Sequence, residues 1–152
     1  RLAEQEFSVL LIGLNRDRVQ LYRRIDERVD SMFARGVVEE TERLLADGYG
    51  RELGAMKGLG YQQVAGYLAG EYDRAEALRL LKRDTRHFAK RQLTWFRKEP
   101  GLRWCELTEQ DRSEDVAGRL LEMIRSFVQD LAPRRPEEMP NPSLNMEQES
   151  TA

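Results

Sequence analysis

Thr85-Arg86-His87-Phe88-Ala89-Lys90-Arg91-Gln92-Leu93-Thr94-Trp95-Phe96-Arg97 lies inside the longest helical pattern of the chain, about Arg74 to Lys98. At 3.6 residues per turn, Arg79, Arg83, Arg86, Lys90 and Arg97 fall in one narrow stripe. Leu78, Leu81, Phe88 and Trp95 point roughly the opposite way. Between Arg79 and Lys98 there are eight Lys or Arg and one Asp, a local +7 in a chain whose formal charge is −2. A solvated amphipathic helix explains the apolar face. It explains the sign poorly, because a solvated face normally mixes Glu with Lys one turn apart. The other reading is an anion dock. On a polyanion with exposed bases, the Arg side chains would take phosphates, and Gln92, Thr94 and Trp95 would take base edges or stack.

Outward from that helix, 152 residues suit one domain, and 40% apolar residues can build a core despite 34% charge. A single cysteine, Cys105, excludes a disulfide framework and a Cys-type zinc site. No apolar run approaches the roughly 20 residues of a membrane span, and no signal peptide is evident. The chain starts at Arg1, which suggests part of a longer protein.

Phe7-Ser8-Val9-Leu10-Leu11-Ile12 is almost continuously apolar and ends at Gly13. It reads as a strand covered on both faces, as in a parallel sheet whose other strands lie before Arg1. Asn15-Arg16-Asp17 is a turn with an N-cap candidate. Val19, Tyr22, Ile25, Val29, Met32 and Phe33 then follow helical spacing up to Gly36, a C′ residue. Arg24 and Arg28 lie one turn apart on this helix, beside Asp26, Glu27 and Asp30. Two readings stand side by side: intrahelical ion pairing, or an arginine pair aimed at a phosphate, for which the guanidinium fork suits better than Lys.

Val37 to Asp47 reads as a short helix with an acidic first turn. Met56-Lys57-Gly58-Leu59-Gly60-Tyr61-Gln62-Gln63 places two glycines around one leucine, which permits close backbone approach to a ligand or serves a plain loop. It is not G-x-G-x-x-G, and the chain has no G-x-x-x-x-G-K-[ST]. Gln63 to Ala69 reads as a brief helix. Asp73 caps the basic helix, with Glu76 three residues on as in a capping box, and Pro100-Gly101 ends it. Leu102 to Leu107 reads as a short strand with Trp104 on one side. Ser113 caps a last helix with an apolar stripe of Val116, Leu120, Met123, Ile124, Phe127 and Leu131. Residues 1–131 are expected to form the core and 132–152 a disordered polar tail. Neither metal-ligand spacing nor a Ser/His/Asp or Cys/His nucleophile system is present. His87, the single histidine, suits a structural or RNA-contacting role better than that of a general base.

Ile12-Gly13-Leu14, Leu21 to Met32 with its Arg24-Ile25-Asp26-Glu27-Arg28 core, Gly58-Leu59-Gly60-Tyr61 and the Thr85 to Arg97 block together resemble the C-terminal half of tRNA dimethylallyltransferases, in order and spacing. The resemblance covers about Ser8 to Glu106. It implies an α/β fold like that of P-loop kinases, of which this part is mostly α-helical with one or two short strands. It implies transfer of a dimethylallyl group from dimethylallyl diphosphate to N6 of the adenosine 3′-adjacent to the anticodon. The phosphate loop, the Mg²⁺ ligands and the carboxylate base are expected in the preceding half. By similarity, Lys57, Gly58, Leu59, Gly60, Tyr61 and Gln62 match one tRNA-contacting segment of the family. Lys90, Arg91, Gln92, Leu93, Thr94, Trp95, Phe96 and Arg97 match another. Arg24 and Arg28 match the arginines of its R-I-x-x-R pattern, with Arg28 the first candidate for the diphosphate. Trp95 and Tyr61 are candidates to stack on or shape the path of the flipped base. Gln62 stands where Lys or Arg is frequent and Leu59 where Ile is common, so one positive charge is missing from the RNA contact. The resemblance further implies the anticodon stem-loop as partner, a cytoplasmic monomer at full length, and no membrane association. The alternative is a non-catalytic helical RNA-binding module. A plain helical interaction domain would show no salt-dependent RNA binding.

Overall fold

The computed structural model describes residues 8–131. These fall into two compact units, 11–112 and one containing 8–10 and 113–131. The expected tail at 132–152 lies outside the described residues.

In the first unit, strand β1 (Leu11–Arg16) pairs in parallel with β2 (Leu102–Leu107), Leu11 opposite Leu102 and Arg16 opposite Leu107. The expected strand at Phe7–Ile12 therefore starts later and runs through Gly13, and Phe7 lies outside the described residues. The reason for the shift is packing. Gly13 faces Trp104 across the ladder, and a Cβ on Gly13 would stand 2.8 Å from two atoms of that indole. The glycine does not end the strand; it makes room for the ring inside it. β1 has an in-chain partner, β2, and is only half covered, with Leu14 54% exposed. At the carboxyl end of the sheet, the Asn15 amide donates to both Glu106 carboxylate oxygens at 3.0 and 2.9 Å. Arg16 Nη1 donates to the Thr108 carbonyl at 2.7 Å.

Helix α1 (Arg18–Ala34) starts at Asp17, whose carboxylate accepts from the Val19 and Gln20 amides. It buries Ile25, Val29 and Phe33 at period 3.6. Gly36, at φ +98°, allows the chain to turn directly into α2 (Val37–Ala46), as the sequence predicts. A single 3₁₀ turn (Ala55–Lys57) leads to α3 (Tyr61–Leu68), then to α4 (Arg74–Phe96). Val29, Phe33, Val37, Val64, Ala77 and Leu81 form the shared core of α1 to α4. Thr41, fully buried, satisfies its hydroxyl by donating to the Val37 carbonyl at 2.7 Å.

The expected capping box on α4 is half present. Asp73 accepts from the Glu76 amide at 2.8 Å, but the Glu76 carboxylate turns forward to Arg79. The apolar side of α4 is also shorter than its wheel suggests. Ala77 and Leu81 are buried, whereas Phe88 and Trp95 are 42% and 61% exposed. The core made with α1 and α3 ends at Leu81, and the helix, about 35 Å long, continues beyond it.

In the other unit, α5 spans Ser113–Leu131 with Glu114 and Asp115 in its first turn. None of its residues is buried, and Ile124 and Leu131 of the expected stripe are exposed.

Replacing Gly13 with Val should destabilise the sheet by about 1–3 kcal/mol through overpacking against Trp104. Urea unfolding followed by tryptophan fluorescence measures this. An unchanged midpoint would show that the indole is free to move aside.

Candidate nucleic-acid interface

The cations of α4 divide into two groups. Those from Arg79 to Arg86 are neutralised, while Arg74 in the first turn lies over the Phe33 ring. Arg79 pairs with Glu76 at 2.5 Å, Arg83 with Asp84 at 2.8 Å and Lys82 with Asp30 of α1 at 2.6 Å. Arg86 forms a two-pronged pair with Asp26 of α1 and lies over the Tyr22 ring. The continuous cationic stripe expected through Arg79, Arg83 and Arg86 is thus corrected: these three are structural ion-pair partners. Lys90, Arg91, Arg97 and Lys98 form no ion pair among the described residues, and all four are exposed. The open positive surface is the carboxyl-terminal third of the helix.

The same pairings decide between the two readings of Arg24 and Arg28. Asp26 and Asp30 are engaged by α4, and Glu27 by Arg23 at 3.7 Å. Both arginines are exposed and form no ion pair among the described residues, so intrahelical pairing is ruled out. They stand one turn apart on the exposed side of α1.

Three concave surfaces border the free end of α4. A cleft of about 670 Å³ opens beyond the carboxyl ends of both strands, where ligands of parallel sheets commonly sit. Asn15, Arg16, Arg18, Lys90, Thr94 and Arg97 are among its lining residues. A shallower hollow of about 430 Å³ is lined by His87, Lys90, Arg91, Thr94 and Trp95. A groove of about 290 Å³ brings Lys57, Leu59 and Gln62 of the glycine loop against Asp84, His87 and Arg91. The structure therefore brings together the loop and helix segments that the sequence singles out separately. Trp95 and Phe96 meet in a T-shaped contact, with centroids 4.8 Å apart, and Trp95 stays largely exposed. Gln92 and Phe96 are exposed, and Leu93 lines the strand-end cleft. Thr94 donates its hydroxyl to the Lys90 carbonyl at 3.0 Å, leaving only the oxygen lone pairs for a base.

Tyr61 is placed differently from Trp95. Its hydroxyl donates to Glu40 at 2.5 Å, and its ring lines a separate pocket with Met32, Arg35 and Val37. The Glu40 hydrogen bond, with burial second, raises the Tyr61 phenol above its ordinary range. Tyr61 braces the glycine loop against α2 and does not share a surface with Trp95. Gly58 and Gly60 belong to the loop backbone; Gly60 has φ +104°, and a Cβ there would meet Met32 Cε at 3.3 Å.

Two residues escape the sequence reading. Gln63 is buried, accepting from the Gly60 amide at 3.1 Å and donating to Asp84 at 3.0 Å. Gly60-x-x-Gln63 has the spacing of a helix N-cap and its N3 partner, which could have flagged it. Asp84 could have been flagged as the lone acid of the basic window. The Arg83 hydrogen bond, helped by Gln63 and opposed by burial, holds the Asp84 carboxyl below its usual range. Among the described residues, no group of three or more His, Cys, Asp or Glu is placed to hold a metal ion. The Mg²⁺ implied by the resemblance thus finds no ligand set here, and no step is assigned to it. No helix of the described residues is long and apolar enough to cross a membrane.

Four helices sharing one core, beside a two-stranded parallel sheet with a cationic helix end near the strand termini, define the class: a mostly helical portion of an α/β fold. The fold matches the crystal structure of the full-length tRNA isopentenylpyrophosphate transferase from Bacillus halodurans with a TM-score of 0.77. The identity is 32%, over 85% of this chain and 42% of that one. The transferase from Staphylococcus epidermidis matches at 0.73 and 30%, over 80% and 40% of the two chains. The tRNA dimethylallyltransferase of Alkaliphilus metalliredigens is 53% identical over 121 residues, 80% of this chain and 38% of the relative. That of Natranaerobius thermophilus is 44% identical over 124 residues, 82% and 37% of the two chains. The family described as IPP transferase matches residues 1–99, and the chain belongs to it. The chain spans about two fifths of the length of these relatives.

Because the folded-state pKa of Asp84 is depressed, its contribution to stability is full above the ordinary aspartate range. It is lost as pH falls through the lower, folded value. Asp84→Asn should therefore lower the melting temperature at neutral pH, and the gap from the parent should close as pH falls below about 4, which flattens the acid limb of the variant. A carboxyl NMR titration placing Asp84 at or above the ordinary range would remove the basis for this.

Proposed function

We propose that this chain is the RNA-gripping part of a tRNA dimethylallyltransferase, which moves a dimethylallyl group from dimethylallyl diphosphate to N6 of the adenosine 3′-adjacent to the anticodon. The observation that carries this reading is the segregation of charge. Acidic partners neutralise α4 from Arg79 to Arg86, and Lys90, Arg91, Arg97 and Lys98 remain unpaired among the described residues, with Lys57 across the groove. Unpaired like charges on one helix end repel, and a docked phosphate backbone relieves that repulsion. Exposed Trp95 offers the flat face that an unstacked base requires.

In the reaction, the bond from the allylic carbon to the diphosphate oxygen breaks and a bond from N6 to that carbon forms. N6 loses a proton to a base supplied by the rest of the enzyme, in the half that also carries the P-loop and the Mg²⁺ ligands. Diphosphate leaves with growing negative charge. Arg24 and Arg28 meet the requirement for neutralising it, as two guanidinium groups not held by carboxylates of their own helix. The working protein is a cytoplasmic monomer that binds the anticodon stem-loop. The second reading, a non-catalytic RNA-binding module, shares the binding surface and differs only in lacking turnover.

Arg91→Ala and Arg97→Ala should each weaken binding of an anticodon stem-loop RNA and lower the slope of log affinity against log salt by about 0.7–1. Equal slopes for variant and parent would remove these residues from the RNA surface. In the full-length enzyme, Arg28→Ala should lower kcat about a hundredfold with little change in tRNA affinity. A loss confined to affinity would move Arg28 from the diphosphate to the RNA.

A further inference from the structure

Resting on the RNA-binding reading above, we infer that Gln63 is a positioning residue for RNA recognition, its amide locking the glycine loop Lys57–Gln62 to the basic helix so that the two act as one clamp. Gln63 is 5% exposed, a polar side chain on a helix whose next residues, Val64 and Ala65, are also buried. An apolar residue would serve the core at lower desolvation cost. The amide is satisfied at both ends. Its oxygen accepts the Gly60 N–H at 3.1 Å, and its nitrogen donates to Asp84 Oδ2 at 3.0 Å. A donor on one side and a carboxylate on the other permit a single orientation of the amide. The Gln63 backbone is fixed as well, since its carbonyl accepts from the Tyr72 hydroxyl at 2.9 Å.

The two partners lie in different contact segments. Gly60 closes the loop that carries Lys57 and Leu59, and Gln62 follows in the first turn of α3. Asp84 lies one turn before His87 and two turns before Arg91 on α4. Both sets of side chains line one groove of about 290 Å³, and Gln63 and Asp84 form part of its wall. Asp84 is held from the other side by Arg83 at 2.8 Å, so the bridge ends on a fixed carboxylate. Core packing of Val64 against Ala77 and Leu81 sets the distance between the helices, and the side-chain amide ties the end of the loop to α4 across the groove. RNA bound across it meets a preformed pair of walls and loses less affinity to ordering the loop.

A polarity swap tests this in the full chain, with an anticodon stem-loop RNA as the probe. Gln63→Glu keeps the acceptor for Gly60 and sets a second carboxylate against Asp84. It should weaken RNA binding about tenfold. Asp84→Asn still accepts from Gln63 and should stay within about threefold of the parent. When Gln63→Glu and Asp84→Asn are combined, the amide introduced on α4 donates to the carboxylate introduced on α3 and rebuilds the bridge with reversed polarity. The affinity of this double variant should return to within about threefold of the parent. A double variant as weak as Gln63→Glu, with Arg91→Ala still weakening binding, would overturn the bridge and leave the RNA surface standing. An Arg91→Ala variant that binds like the parent would overturn the RNA reading and this inference with it. If Gln63→Glu does not fold by circular dichroism, Gln63→Met keeps the volume and loses both hydrogen bonds. It should then show the same tenfold loss, and parental affinity in that variant would overturn the bridge.

Discussion

Two carboxylates of α1 reach across to α4 and take two of its cations: Asp26 binds Arg86 and Asp30 binds Lys82. These crossings determine how charge is distributed over the rest of the molecule. They are not what holds the helices together. Their side chains are 23–53% exposed, where an ion pair contributes roughly 0–1 kcal/mol. Burial of Val29, Phe33 and Leu81 against one another outweighs that, at about 1.5–3 kcal/mol for each large side chain. The ion pairs instead remove the acids of α1 from reach of Arg24 and Arg28. On α4 they reach as far as Arg86, a little over one turn past the end of the core at Leu81. What is left over, on α1 and at the free end of α4, is a surplus of guanidinium and ammonium groups in two defined places.

Much of this arrangement was legible in the sequence, for identifiable reasons. Asp17 and Asp73 announced helix starts through their capping chemistry, and Gly36 announced a stop through its left-handed backbone. β2 fell within Leu102–Leu107 as read, because alternation between the Pro100-Gly101 turn and polar residues leaves little freedom. β1 was misplaced because a glycine inside a strand looks like an end unless the partner residue is known. Trp104 is that partner, and it is 91 positions away in the chain.

The candidate site was legible as residue types and not as pairings. A helical wheel shows that Arg86 and Lys90 share a face; it cannot show that an aspartate of α1 lies beside Arg86 and none beside Lys90. Nor can it show where an apolar stripe stops being covered, so Phe88 and Trp95 looked like continuations of the Leu81 face. Tyr61 adjoins Gly60 in sequence but turns to Glu40, because the φ of +104° at Gly60 reverses the chain just before it. Gln63 was invisible as a site residue because its work depends on Asp84, 21 positions along the chain and meaningful only once α3 packs on α4.

The placement of the surplus charge at the carboxyl end of α4 follows from helix electrostatics. The last carbonyls of a helix carry about half a negative charge. Arg97 is the C-cap residue, and Lys98 follows it. Both sit where the backbone itself supplies the counter-charge that side chains supply further back. Cations held this way need no carboxylate within reach, and a carboxylate there would compete with any incoming phosphate. The helix can therefore be paired along the length that packs and bare along the length that projects. A reversed helix would face the opposite problem, since its free amino end would repel the same cations. The direction in which the chain enters α4, fixed by Asp73 at the start of the helix, thus decides which end can remain open to a polyanion.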